Sequence, residues 1–121
     1  MTGGRHRSTG EVLESHLAYA QRGDLEGDLA TNFAEDVVLL SAEGVHRGHD
    51  GVRTLRSILD DYVPAGSYEY CQLEAEGEYG LLVWRAASED VEVHTGTDAF
   101  VVREGLVRAQ MIYYATERRP G

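Results

Sequence analysis

Asp98 and His16 are the two residues whose chemistry most needs a reason. Asp98 lies between Gly96 and Phe100 in an otherwise apolar stretch, and strand alternation puts it on one face with His94, Gly96 and Phe100. A carboxylate turned toward an apolar interior is costly unless it is paired or protonated. Three roles follow for it: an inner carboxylate hydrogen-bonded to His16 or Tyr19 that fixes a helix on a sheet, a ligand-binding group, or an acid/base. His16 with Asp98 would make a dyad in which the carboxylate orients the imidazole and the imidazole moves a proton. The plain alternative for His16 is a partly exposed helix residue.

Large apolar side chains stand near these two in the pattern. Trp84 shares a strand face with Leu82 and Ala86, and Tyr114 shares one with Gln110 and Ile112, while Met111 and Tyr113 take the other side. Tyr19, Trp84, Phe100, Ile112 and Tyr114 are therefore the candidate walls of a ligand pocket, with plain core as the competing role for each aromatic. His46 and His49, three apart with Gly48 between them, and the distant His94 lack the helical spacing or carboxylate frame that brings ligands onto one metal ion, so no metal is expected. Lone Cys71 has no basic neighbour in sequence and reads as a buried, inert thiol. The chain contains no Gly-x-Gly-x-x-Gly, no P-loop and no Gly-x-Ser-x-Gly elbow, and no cofactor is expected.

The elements that must position these residues read clearly. Ser8-Thr9-Gly10-Glu11 has the form of a capping box, and Val12, Leu13, Leu17 and Ala20 follow at helical spacing. Gly23 ends that helix, and Asp24 caps a second one carrying Leu25, Leu29, Ala30 and Phe33. Val37–Leu40 is a short strand, Glu43-Gly44 its turn, and Val45-His46-Arg47 the return strand. Asp50 is expected to cap a third helix, with Val52, Leu55, Ile58, Leu59 and Tyr62 on its buried side and Pro64 and Gly66 closing it. From Ser67 the period changes to two, and Tyr68–Ala75, Tyr79–Ala87, Val91–Arg103 and Leu106–Glu117 read as four strands. Helices first and a meander of strands after them predict an α+β domain over residues 10–117, between a loose segment 1–9 and a tail 118–121.

Several stretches resemble the SnoaL-like, nuclear transport factor 2-like proteins, the superfamily with the ketosteroid-isomerase-like fold. These are His16-Leu-Ala-Tyr-Ala-Gln-Arg-Gly-Asp24, Asn32-Phe-Ala-Glu-Asp-Val-Val-Leu-Leu40 and Gly44-Val-His-Arg-Gly-His-Asp-Gly-Val52. The most telling is Gly96-Thr-Asp-Ala-Phe-Val-Val-Arg-Glu-Gly-Leu-Val107. The resemblance implies a cone, in which a bent, mostly antiparallel sheet is wrapped by three N-terminal helices around an internal pocket. It also implies a homodimer through the sheet. Carried over from the ketosteroid isomerases, the later-strand acid falls on Asp98 and the first-helix donor on His16. The general base falls on Ser41, which has no useful basicity near neutral pH, and Glu43, two residues on, could take its place if the hairpin is shaped to turn it inward. Tyr114 takes a pocket-lining aromatic position. Ile112 stands where epoxide-hydrolase-like members keep a last-strand carboxylate, which argues against that reaction. One such scaffold hosts isomerases, cyclases, hydrolases, dehydratases and non-catalytic modules.

Composition narrows the partners. Eleven Lys and Arg against 21 Asp and Glu give a net charge of −10, a field that repels nucleic-acid phosphates and anionic lipid heads. One cysteine allows no internal disulfide, no apolar run approaches the roughly 20 residues of a membrane span, and Met1–Gly10 lacks the apolar core of a signal peptide, so a cytoplasmic setting is expected. Two functions remain. One is a pocket protein that binds or converts a small apolar metabolite of polyketide, steroid or terpenoid type, by cofactor-free proton transfer or cyclisation. The other is a non-catalytic dimeric module that binds a ligand or a protein.

Overall fold

The computed structural model describes residues 6–63 and 67–118. Three helices come first, α1 (Thr9–Arg22), α2 (Leu25–Asn32) and α3 (Gly48–Tyr62), with the hairpin β1 (Phe33–Ser41) and β2 (Gly44–Arg47) between the last two. Then come β3 (Tyr68–Glu76), β4 (Tyr79–Ala87), β5 (Val91–Arg103), β6 (Leu106–Tyr114) and the two-residue β7 (Glu117–Arg118). The strands form one open sheet in the order β2-β1-β6-β5-β4-β3, antiparallel except for the β1–β6 pair, with β7 added beside β5. It is a curved, mostly antiparallel sheet with three helices, the α+β architecture expected. Among the described residues no helix is long and apolar enough to cross a membrane.

Local chemistry explains where the helices sit. Ser8 Oγ accepts the Glu11 amide at 3.1 Å and Glu11 Oε1 accepts the Ser8 amide at 2.7 Å, so both free donors at the start of α1 are satisfied. Gly23 closes α1 at a φ of 70°, a left-handed conformation that glycine adopts without strain, and Asp24 then caps α2 through the Gly27 amide at 2.9 Å. Val12 and Leu13 of α1 are fully buried on the sheet. Gly80 of β4 makes this approach possible, because a side chain there would collide with Leu13.

Several expectations are corrected. Phe33 is not on α2; it opens β1, where it pairs with Val107, and this parallel contact with a strand far along the chain lengthens β1 to nine residues. α3 starts at Gly48 without a side-chain cap, so Asp50 lies inside its first turn and pairs with Arg53 at 2.6 Å. Tyr62 is exposed rather than buried. The last strand breaks after Tyr114 and resumes along β5 in the same direction, with Glu117 opposite Glu92 and Arg118 opposite Val91. Arg7, expected in a loose segment, donates to Asn32 Oδ1, Thr31 O and Gly105 O. The expectations for residues 1–5, for Pro64 and Gly66, and for residues 119–121 lie outside the described residues.

Two bulges change which side chains face in. In β3 the register jumps between Tyr70 and Gln72, so Cys71 is the unpaired residue and is exposed, not buried. In β5, Gly96 pairs with Trp84 but Val93 pairs with Ala86, leaving an extra residue around His94 and Thr95. Val93 is thereby turned inward, and His94 leaves the face of Asp98 for solvent, where it meets Glu92 and Glu117. Both bulges adjoin the row Tyr70–Trp84–Gly96–Tyr114, and such bulges bend a sheet and raise its twist.

Candidate active site

Inside the curve, a cavity of about 220 Å³ opens between the helices and the inner sheet face. Sheet register places its floor. Leu82, Asp98 and Ile112 form one cross-strand row, flanked by Trp84 and Gly96 on one side and by Phe100 and Gln110 on the other. Trp84 and Gln110 are thus the diagonal neighbours of Asp98, at the separation long side chains can bridge. Trp84 Nε1 donates to Asp98 Oδ1 at 3.0 Å, and Gln110 Nε2 donates to Oδ2 at 3.1 Å. Neither His16 nor Tyr19 bonds to Asp98, as the sequence had suggested. Its two sheet neighbours hold it instead.

Burial pushes the Asp98 carboxyl above the usual carboxylate range; the Trp84 bond, the charge of His16 and the Gln110 bond oppose that rise without cancelling it. The raised value has a sign for stability. The folded state holds the Asp98 proton more tightly than the unfolded chain, so this group favours folding less as pH rises above the ordinary Asp value. Asp98→Asn removes that dependence, and Gln110 can turn its amide to accept from the new side-chain N–H. The stability of Asp98→Asn relative to wild type should therefore increase from about pH 4 to pH 8, read by urea denaturation across that range. A constant difference would show that Asp98 titrates normally.

His16 lines the cavity from α1 and is oriented by a residue the sequence reading missed. Its Nδ1 lies 2.6 Å from Asp28 Oδ2, and Asn32 Nδ2 donates to Asp28 Oδ1 at 2.8 Å. Phe33 and Phe100 hold the ring edge-on, with centroids at 5.5 and 5.7 Å. No protein partner reaches His16 Nε2 among the described residues. The dyad expected between His16 and Asp98 is replaced by one between His16 and Asp28, both of which line the cavity with Asp98. A signal for Asp28 was present. Leu25, Asp28, Leu29 and Asn32 follow at helical spacing, so a carboxylate and an amide share the apolar stripe of α2.

Other cavity residues were also missed. Tyr68 and Tyr70 of β3 and Arg56 of α3 line it. Burial raises Tyr68 to about 12, and the Tyr68 hydroxyl donates to Val63 O at 3.2 Å. Burial also raises Tyr70, whose hydroxyl has no hydrogen-bond partner among the described residues. Arg56 lies over the Tyr68 ring at 5.7 Å and meets Asp60 loosely at 3.5 Å.

Of the expected wall residues, Trp84 and Ile112 line the cavity and three do not. Phe100 lies beneath His16. Tyr19 points away, its hydroxyl 3.2 Å from Thr31 Oγ1 and its ring under Arg22. Tyr114 backs Trp84 at a centroid distance of 5.8 Å, with a buried hydroxyl that has no partner among the described residues. Such a group costs about 1–3 kcal/mol. Tyr114→Phe is accordingly expected to stabilise the fold by about 1 kcal/mol in urea melts, and a loss of that size would reveal a hidden partner. Ser41, at the position of the isomerase base, only accepts the Glu43 amide at 3.0 Å, and Glu43 is exposed.

No family model matches the sequence, and no curated protein does. Solved structures match over most of their length. An NTF2-like protein from Burkholderia xenovorans LB400 superposes with a TM-score of 0.70 at 24% identity, covering 93% of this chain and 93% of that one. The chain has the NTF2-like fold. A proposed SnoaL-like polyketide cyclase from Mesorhizobium loti is similar with a TM-score of 0.62 at 13% identity, over 89% of this chain and 100% of that one. A de novo designed protein with a curved sheet reaches 0.71 at 16% identity, over 87% of this chain and 83% of that one. An NTF2-like fold shared with a designed protein assigns no reaction, so the site must carry the functional argument.

Proposed function

We propose that the cavity takes a small cyclic carbonyl compound and moves a proton at the carbon beside the carbonyl, without a cofactor. The observation that carries this is His16, seated in the cavity with Nδ1 tied to Asp28 and Nε2 left free. Nε2 takes the proton, and the electron pair moves onto the carbonyl oxygen. The Tyr70 hydroxyl and a protonated Asp98 are the donors that stabilise that oxygen. In a β,γ-unsaturated ketone the charge extends to the γ carbon, and return of the proton there gives isomerisation. Attack by the carbanion on a second carbonyl of the same molecule, whose oxygen then takes the proton back from His16, gives cyclisation.

Size limits the ligand. A cavity of about 150 Å³ holds benzene, so in proportion about 220 Å³ holds roughly nine heavy atoms. One or two rings fit, as in small polyketide or terpenoid fragments, whereas a steroid could enter only by one end. A thermal-shift panel of one- and two-ring ketones and phenols tests this. A compound that stabilises wild type but has little effect on Asp98→Asn or His16→Phe supports the site, and uniform silence across the panel sinks it. The second reading, a binding module without turnover, is favoured by the engagement of both Asp98 oxygens within the protein. It predicts binding without any proton exchange.

A homodimer belongs to the same proposal. Leu81, Ala99, Met111, Leu40 and Val45 lie in one register row across β4, β5, β6, β1 and β2, on the sheet face away from the helices. Leu40, Val45 and Leu81 are exposed, as is Tyr113 nearby. An apolar row of this extent supports that reading, because in a chain of charge −10 it offers a second copy a neutral surface. Light scattering should give twice the chain mass for wild type and the single mass for Met111→Asp. A wild-type monomer at high concentration would contradict it. A cytoplasmic setting completes the reading, since the exposed thiol of Cys71 persists best in a reducing compartment.

A further inference from the structure

We infer that Asp28 fixes which nitrogen of His16 carries the proton, and that Asn32 and Arg7 are positioning residues that hold Asp28 in place and would decide the tautomer if residue 28 were an amide. A guanidinium has only donors. Arg7 NH1 lies 2.8 Å from the Asn32 side chain, so the Asn32 atom facing it must be the oxygen. The Arg7 guanidinium cannot swing away cheaply, because its NH2 also donates to Thr31 O at 2.8 Å and Gly105 O at 2.9 Å.

With Asn32 Oδ1 committed to Arg7, Nδ2 faces the other way. It donates to Asp28 Oδ1 at 2.8 Å and to Ser15 Oγ at 3.1 Å, and Asn32 is fully buried, so no water competes for the amide. Asp28 is therefore held with Oδ2 toward the imidazole, and a carboxylate oxygen only accepts. His16 Nδ1 must donate to it, which makes Nδ1 the protonated nitrogen and leaves a lone pair on Nε2. The polarity runs in one direction from Arg7, beside the β5–β6 turn, to the cavity. Amide orientation and ring tautomer are set by the network as a whole.

Imidazole ¹⁵N shifts test this without a substrate, so the result is independent of the proposed reaction. His16 is followed upward in pH until its ring is neutral. Wild type should show a protonated Nδ1 and an unprotonated Nε2. In Asp28→Asn, which is close to isosteric, Asn32 still donates to residue 28. The new amide must then present its N–H₂ to His16, and the pattern should reverse to a protonated Nε2. Arg7→Met in the Asp28→Asn background should give a mixture, because Asn32 is then free to turn, and Arg7→Lys should restore the reversed pattern. A wild type with protonated Nε2, or an Asp28→Asn protein that keeps the wild-type pattern, overturns the inference.

Discussion

Trp84→Ala should lower the unfolding free energy by about 3–5 kcal/mol in urea denaturation, among the largest losses any single truncation here can produce. The indole is almost fully buried, packs edge-on against Tyr68 at 5.3 Å and tilts against Tyr114 at 5.8 Å. Truncation opens a void where three strands meet and leaves Asp98 Oδ1 without its donor. Trp84→Phe separates the two effects. It keeps most of the volume and removes the N–H, so its loss of about 1–3 kcal/mol reports the unpaired buried acceptor. A Trp84→Ala cost below about 1 kcal/mol would mean that the cavity wall collapses freely and shapes nothing.

Gly96→Val is expected to cost about 3 kcal/mol or more, the upper end of overpacking effects. On propensity alone the change should help, since valine suits a strand and glycine weakens one. The structure reverses that sign. Gly96 pairs with Trp84 on one side and Tyr114 on the other, and a Cβ on it would overlap the indole ring of Trp84. The glycine is the floor on which the indole lies flat enough to reach Asp98. In a Trp84→Leu background the same substitution should cost markedly less, because residues in direct contact do not act additively. Equal costs in the two backgrounds would show that the glycine serves the backbone and not the ring.

These two residues show where the sequence was readable and where it was not. Alternation placed Trp84, Leu82 and Ala86 together and set Asp98 inward, because β4 and the middle of β5 are regular there. The same alternation failed at His94, since a bulge adds one residue without any local signature, and Cys71, read as buried for want of a basic neighbour, is exposed because it stands at a second bulge. The capping box at Ser8, the Gly23-Asp24 break and the β5–β6 turn were legible, because each is decided by neighbours within four residues. Phe33 was misplaced because its strand partner, Val107, is 74 positions away, and no short-range rule sees that contact.

The site divides along the same line. Asp98 and His16 were visible as polar groups in apolar patterns, but their partners depend on which helix crosses which strand. Asp28 looks like an ordinary helix acid until α2 packs against α1 and brings it to His16. Gln110 was placed on the right face with Ile112 and Tyr114, yet only the diagonal geometry of the sheet shows that it holds Asp98. Tyr70 became a cavity residue through its pairing with Trp84 across β3 and β4. Phe100 and Tyr114 support or flank the site instead of lining it, because large aromatics at core positions are as useful beneath a functional group as beside it, whereas Tyr19 points away toward Thr31 and Arg22.

The most direct measurement is hydrogen–deuterium exchange of one- and two-ring ketones in D₂O, followed by proton NMR with wild type, His16→Phe and Asp98→Asn. Wild type should accelerate exchange at carbons next to the carbonyl, His16→Phe should return it to the buffer rate, and Asp98→Asn should fall between them. Ketones that bind in the cavity but exchange no faster with wild type than with His16→Phe would contradict proton transfer by His16 and leave a binding protein.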